Sequence, residues 1–227
     1  MLTDLKFVRE LSALKELALF EFNQLTHIED LAGLPPPNLS LFQMPDEFSF
    51  DALDSLTELT DLSLYTRLPW ESLAELPAPE GLTSLSLGRW IGTRLAGVSR
   101  WQQLQDLVIN AAPDNGEWQE ISALPHLTEL CMSDYDLNHA VPMHSITYLR
   151  LLPTSDPQLE LVPDLFPDLE RIFINCRGAQ PDTADITPLS RIKGLQISIS
   201  YASNVIDLEG FTPDAVRLYP RPRTAST

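Results

Sequence analysis

Apolar residues recur in one short phrase along nearly the whole chain. The phrase is an apolar residue, two variable residues, a second apolar residue, one variable residue and a third apolar residue. It reads Leu14/Leu17/Leu19, Leu59/Leu62/Leu64, Leu82/Leu85/Leu87 and Leu104/Leu107/Ile109, then Leu127/Leu130/Met132, Ile146/Leu149/Leu151, Leu169/Ile172/Ile174 and Ile192/Leu195/Ile197. Two weaker copies, Pro36/Leu39/Leu41 and Pro213/Val216/Leu218, bring the number to ten. Their first positions are 22, 23, 23, 22, 23, 19, 23, 23 and 21 residues apart. Apolar residues on either side of a single variable position predict a short strand with alternate side chains on opposite faces. Heptad helices would not reset at each copy. Between the strands apolar residues recur every third position, as at Leu53/Leu56/Leu59, Leu95/Val98/Trp101 and Ile121/Leu124/Leu127. That step suits a 3-10 or short helical turn, in which residues three apart share a face. One such unit cannot bury its own apolar side, so successive units must stack. The pattern predicts an α/β solenoid of about ten coils. A mostly parallel sheet lines its concave side, with short helical or 3-10 turns on the convex side.

The Leu-x-x-Leu-x-Leu phrase at this interval resembles the leucine-rich repeat, from about Leu11 to Tyr219. Strings such as Asp30-Leu-Ala-Gly-Leu-Pro and Ile186-Thr-Pro-Leu-Ser-Arg-Ile resemble the short cytoplasmic repeat. They are similar to the C-terminal repeats of bacterial NACHT and STAND NTPases and to repeats of free-standing proteins. The resemblance implies a non-catalytic protein-recognition module. It would be the sensor of such an NTPase-containing system or, alternatively, an adaptor or immunity-type inhibitor that binds a basic protein. One departure stands out. The family places Asn or Cys three residues after the last apolar strand position, where this chain has Phe22, Met44, Arg67, Trp90, Ala112, Tyr135, Thr154, Arg177 and Ser200. Without an asparagine ladder, other groups must satisfy the backbone at that bend.

The alternation places the residues between and just after the apolar strand positions on the concave face. Glu16, Asp61, Asp106, Glu129 and Asp134 make the earlier coils acidic there, while Arg150 and Arg171 make the later ones basic. Phe20, Phe42 and Tyr65 occupy one column on three successive strands. Aromatic neighbours across strands pack together, and aromatics and arginines dominate binding hot spots. These residues, with Trp90, form the predicted partner-binding surface. The competing explanation is a merely solvated surface, with the rings covered by the N-terminal helix. Trp70, Trp90 and Trp118 are expected in loops after successive strands, either as a binding rim or as packing over the core ends.

Charge narrows the partners. Thirty-two Asp and Glu against 15 Lys and Arg give a net charge of −17, which disfavours nucleic acid and anionic membranes. The chain lacks a phosphate-binding Gly-x-x-x-x-Gly-Lys-Ser/Thr loop and a His-Glu-x-x-His pair, so no catalytic residue, cofactor or metal is predicted. His139 and His144, near Cys131 and Asp134, fit no closed tetrahedral ligand set. Two cysteines, Cys131 and Cys176, cannot form a disulfide framework, and a cytoplasmic location is expected. Residues 1–13 are predicted to form a capping helix started by Thr3 or Asp4, residues 14–219 the repeat domain, and residues 220–227 a disordered tail.

Overall fold

Each predicted phrase becomes one strand of a parallel ladder. The computed structural model describes residues 4–11, 13–32, 36–88, 94–110, 112–133, 135–153, 158–176, 183–200, 204–205, 208, 210–212 and 214–219. Two compact units divide the chain, Met1–Leu127 and Thr128–Thr227. The predicted tail lies outside the described residues.

In the first unit, β1 (Glu16–Phe20), β2 (Asn38–Phe42), β3 (Asp61–Tyr65), β4 (Ser84–Leu87) and β5 (Asp106–Ile109) pair parallel in chain order. Leu17, Leu39, Leu62, Leu85 and Leu107 share one row, and Leu19, Leu41, Leu64, Leu87 and Ile109 the next core row. From β2 to β5 both rows are buried. Removing one such leucine from water stabilises by about 2 kcal/mol. The turns opposite the sheet are 3-10 segments at Glu29–Leu31, Asp51–Ser55, Leu73–Glu75 and Val98–Arg100, then the helix α1 (Asn115–Ser122). The three-residue apolar step is thus borne out: Leu53, Leu56, Leu95, Val98 and Trp101 are all buried.

In the second unit, β6 (Glu129–Ser133), β7 (Tyr148–Leu152) and β8 (Arg171–Asn175) run in chain order. They are followed by the pair β9 (Thr183–Ala184) and β11 (Asn204–Val205), which bond to each other. The main ladder continues from β8 to β10 (Gln196–Ser200) and then to β12 (Val216–Tyr219). Its opposite side carries a 3-10 turn at Leu137–His139, the helix α2 (Val162–Leu165) and a 3-10 turn at Thr187–Arg191. One predicted copy is out of frame. Ile172 pairs with Ile197 and Ile174 with Ile199, so the core pair of the ninth strand is Ile197/Ile199, two residues later than the phrase Ile192/Leu195/Ile197 suggests. Leu195 is buried too, but just before the strand, which is why the phrase misleads. In the tenth copy Leu218 is 50% exposed.

The N-terminal segment forms a 3-10 turn at Lys6–Glu10, shorter than the predicted helix. Its N-cap position is Leu5, which makes no side-chain cap, and Thr3 lies outside the described residues. The Leu5 N–H donates to Asp30 Oδ2, one coil on, at 3.0 Å; Asp4 accepts from Lys6 N at 3.3 Å and from Lys6 Nζ at 3.2 Å.

That contact is one of a series of side-chain bonds that tie a coil to the one before, of which only the Met44–Thr66 bond lies at an expected asparagine position. A side chain of one coil accepts a backbone N–H from the coil before. Glu117 Oε1 accepts from Leu95 N at 2.6 Å, Glu120 Oε2 from Gly97 N at 2.7 Å, and Gln158 Oε1 from Leu137 N at 2.7 Å. Thr66 Oγ1 accepts from Met44 N at 3.0 Å. Arg100 and Trp101 work in the opposite sense, donating to the carbonyls of Leu76 and Pro79. Asp30 and Glu117 are buried charged residues, and these bonds offset their desolvation.

Gly97 shows how closely the coils approach. Its φ is +92°, and a Cβ there would lie 2.7 Å from the Ala74 Cα and backbone nitrogen. Gly97→Ala is expected to cost about 2 kcal/mol, from left-handed strain and the backbone clash. A urea titration that gives an unchanged midpoint would refute this.

Two carboxylates are expected to add acid sensitivity to the fold. The Glu117 backbone N–H does most to hold Asp114 below the usual carboxylate range, with Arg94 adding to it. The Asn138 backbone N–H does the same for Asp136, followed by the Gln158 side chain. A carboxylate with a depressed folded pKa stabilises above its unfolded value, 3.8 for both, and loses that contribution as pH falls through the lower folded value. Asp114→Asn should therefore reduce stability at pH 6 and leave it nearly unchanged well below pH 3, in urea titrations across that range.

Candidate functional site

Phe20, Phe42 and Tyr65 end β1, β2 and β3 in register. Their rings stack. The first two centroids are 4.3 Å apart at 9°, the second pair 4.8 Å apart at 11°. Phe20 is 58% exposed, while Phe42 and Tyr65 are half-buried beneath their neighbours. The Tyr65 hydroxyl is hydrogen-bonded to Ser86 Oγ at 2.8 Å. The next coil supplies Gly88, whose N–H donates to Leu64 O, and a Cβ there would meet Tyr65 Cδ1 at 2.0 Å. Glycine thus lets the last ring lie flat across the following strand. Just beyond the first two rings, Glu21 and Gln43 adopt φ of +57° and +51°. Side chains of this kind rarely occupy that region, at a cost of about 1–2 kcal/mol each. The bend is held by Glu21 N to Phe42 O and Gln43 N to Tyr65 O, at 3.0 and 3.1 Å.

The acidic residues of this unit sit at the other end of the same strands. Glu16 and Asp61 share a row with Asn38, and Asp106 continues it beyond Ser84. Thr60 Oγ1 donates to Asp61 at 2.6 Å, and Ser84 Oγ to Asp106 at 3.2 Å. Four residues of strand, about 13 Å, separate the carboxylates from the rings.

In the second unit Glu129, Tyr148, Arg171 and Gln196 form one row. Arg171 lies 4.3 Å over the Tyr148 ring and 3.7 Å from Glu129. The expected acidic and basic zones meet at this point. Glu129 and Arg171 belong to one ion pair bridged by a ring. Arg150 stands exposed in the adjacent row, between Cys131 and Phe173. Trp90 and Asp134 lie outside the described residues. The tryptophan rim is corrected too, because Trp118 is fully buried on α1. Trp70 is half-buried, its ring 5.1 Å from that of Phe50. No group of three metal-ligating side chains occurs among the described residues. Cys131 and Cys176 are buried and form no disulfide with each other.

Several residues were not singled out from sequence. Ser86 and Gly88 shape the ring ladder. Tyr148, Phe173, Ser198 and Ser200 face the solvent side of the second unit. The strict alternation Gln196-Ile-Ser-Ile-Ser carried the signal, but it was masked by the misplaced ninth copy.

No family model and no curated protein matches the sequence. Solved structures do. Internalin C2 of Listeria monocytogenes is 21% identical, with a TM-score of 0.57, over 84% of this chain and 83% of that one. The fold is a leucine-rich repeat solenoid. A second Listeria monocytogenes internalin, InlF, is 15% identical with a TM-score of 0.50, over 89% of this chain and 65% of that one. At such identities the likeness concerns architecture alone, and the one-strand, one-turn coil agrees with it. No helix among the described residues is long and apolar enough to cross a membrane.

Proposed function

We propose that this chain is a non-catalytic, cytoplasmic protein-recognition module whose first unit grips its partner through the Phe20/Phe42/Tyr65 ladder. The observation that carries this is three large rings stacked in register with Phe20 more than half exposed. A merely solvated surface needs no such rings, and aligned exposed aromatics are the anchors of binding hot spots. The internalins to which the fold is similar are leucine-rich repeat proteins, which agrees with a recognition role. The carboxylates Glu16, Asp61 and Asp106 on the same face, in a chain of net charge −17, favour a basic protein partner. The finer role of sensor in a NACHT- or STAND-type NTPase rests on repeat strings alone. What the structure adds supports the coarser role.

Affinity capture from the native cell with mass spectrometry tests the proposal. Phe20→Ser together with Phe42→Ser is expected to abolish capture of the partner that the unaltered chain retains, with far-UV circular dichroism unchanged. Undiminished capture by the folded double variant would place the interface elsewhere.

A further inference from the structure

The second unit has its own concavity, independent of the ring ladder. On the solvent face of β10 the side chains are small, Ser198 and Ser200, whereas both flanking strands carry large ones in register. Phe173 of β8 and Arg217 of β12 flank Ser198; Tyr219 of β12 pairs with Ser200. Large–small–large across three strands leaves a trough of about 660 Å³, with Tyr148 and Arg171 at one end. That lies within the range of specific ligand sites.

Two features point to an occupant. Ser200 is only 7% exposed, and its hydroxyl has no hydrogen-bond partner among the described residues. Such an orphan is costly unless something supplies the partner. The trough is also electropositive in a strongly acidic chain. Arg171 and Arg217 line it, and among the described residues no carboxylate does. Arg217 makes no ion pair among the described residues, and Arg171 lies 3.7 Å from Glu129, across Tyr148. From the register the two arginines are about 12 Å apart at Cα.

We propose that the trough binds an extended acidic peptide segment. Its carboxylates pair with the guanidinium forks of Arg171 and Arg217. Its backbone bonds to Ser200, Ser198 and Gln196, and an apolar side chain lies on Phe173. A longer polyanion such as nucleic acid is disfavoured by the net charge of −17.

The test uses the full chain and fluorescein-labelled, C-amidated octapeptides carrying two Glu residues two, three or four positions apart, read by fluorescence anisotropy. At least one spacing is expected to bind, and its Glu→Gln version to bind at least tenfold more weakly. Arg171→Ala with Arg217→Ala should weaken binding by a similar factor. Ser200→Ala should weaken it about fivefold yet leave the thermal midpoint unchanged or raised, because it removes an unpaired buried hydroxyl. The Phe20→Ser/Phe42→Ser chain should bind the peptide normally, so failure here is separable from failure of the ladder. The proposal is overturned if no peptide binds, if Glu and Gln peptides bind alike, if the arginine variant is unaffected, or if a single-stranded oligonucleotide binds as tightly through the same arginines.

Discussion

Trp101→Ala is expected to lower stability by about 4 kcal/mol, the largest effect of any single substitution considered for this chain. Trp101 is wholly buried. Its indole N–H donates to Pro79 O of the preceding coil at 3.1 Å, and the Arg100 guanidinium lies 4.3 Å over its ring. Truncation therefore opens a large cavity, strands a carbonyl and removes the platform on which Arg100 rests. Arg100 is held over that ring while donating to the carbonyls of Ala74, Leu76 and Ala78, and burial lowers its pKa. In a solenoid each coil is stabilised mainly by its neighbours, so the damage should be local. Urea unfolding gives the magnitude, and hydrogen exchange the place: amides of 73–110 should lose protection first. Trp101→Phe, which keeps most of the volume, should cost less than half as much. A loss below about 2 kcal/mol for the alanine variant would mean that neighbouring side chains collapse into the space.

Glu117→Ala is expected to cost about 3 kcal/mol. One carboxylate oxygen accepts from Leu95 N of the coil before, at 2.6 Å, and the other from Asp114 N at 2.7 Å, closing the capping box that starts α1. The side chain is 9% exposed, and Arg94 Nε lies 3.8 Å away. Alanine would leave two backbone donors without their acceptor, one of them buried, and Arg94 without one of its two carboxylates. Glu117→Gln can restore only one acceptor oxygen and should recover about half of the loss. An equal loss for Gln and Ala would show that the charge, rather than the accepting geometry, matters. Equilibrium urea titrations of the three chains decide between these.

Most of the coil architecture was legible along the chain. The phrase Leu82/Leu85/Leu87 sets a strand by alternation, and Leu95/Val98/Trp101 sets a turn by its three-residue step; both follow from local geometry. The ring column was legible for the same reason, since a constant repeat length puts Phe20, Phe42 and Tyr65 in one row. The ninth copy was misread because Leu195 is apolar and buried without belonging to the strand, and spacing cannot tell a core residue before a strand from one within it.

The amino-acid order by itself determined that the coils stack and which residues repeat from coil to coil, because periodic apolar positions have only one way to leave water together. Only the tertiary structure decided which polar side chains tie one coil to the next. Glu117, Gln158 and Asp30 reach the coil before at separations of 22, 21 and 25 residues, close to one repeat, but the residue type changes from contact to contact, so no motif announces them. The trough arose in the same way. Two serines are unremarked residues in their own strand and become the floor of a site only when register sets Phe173 and Arg217 on either side.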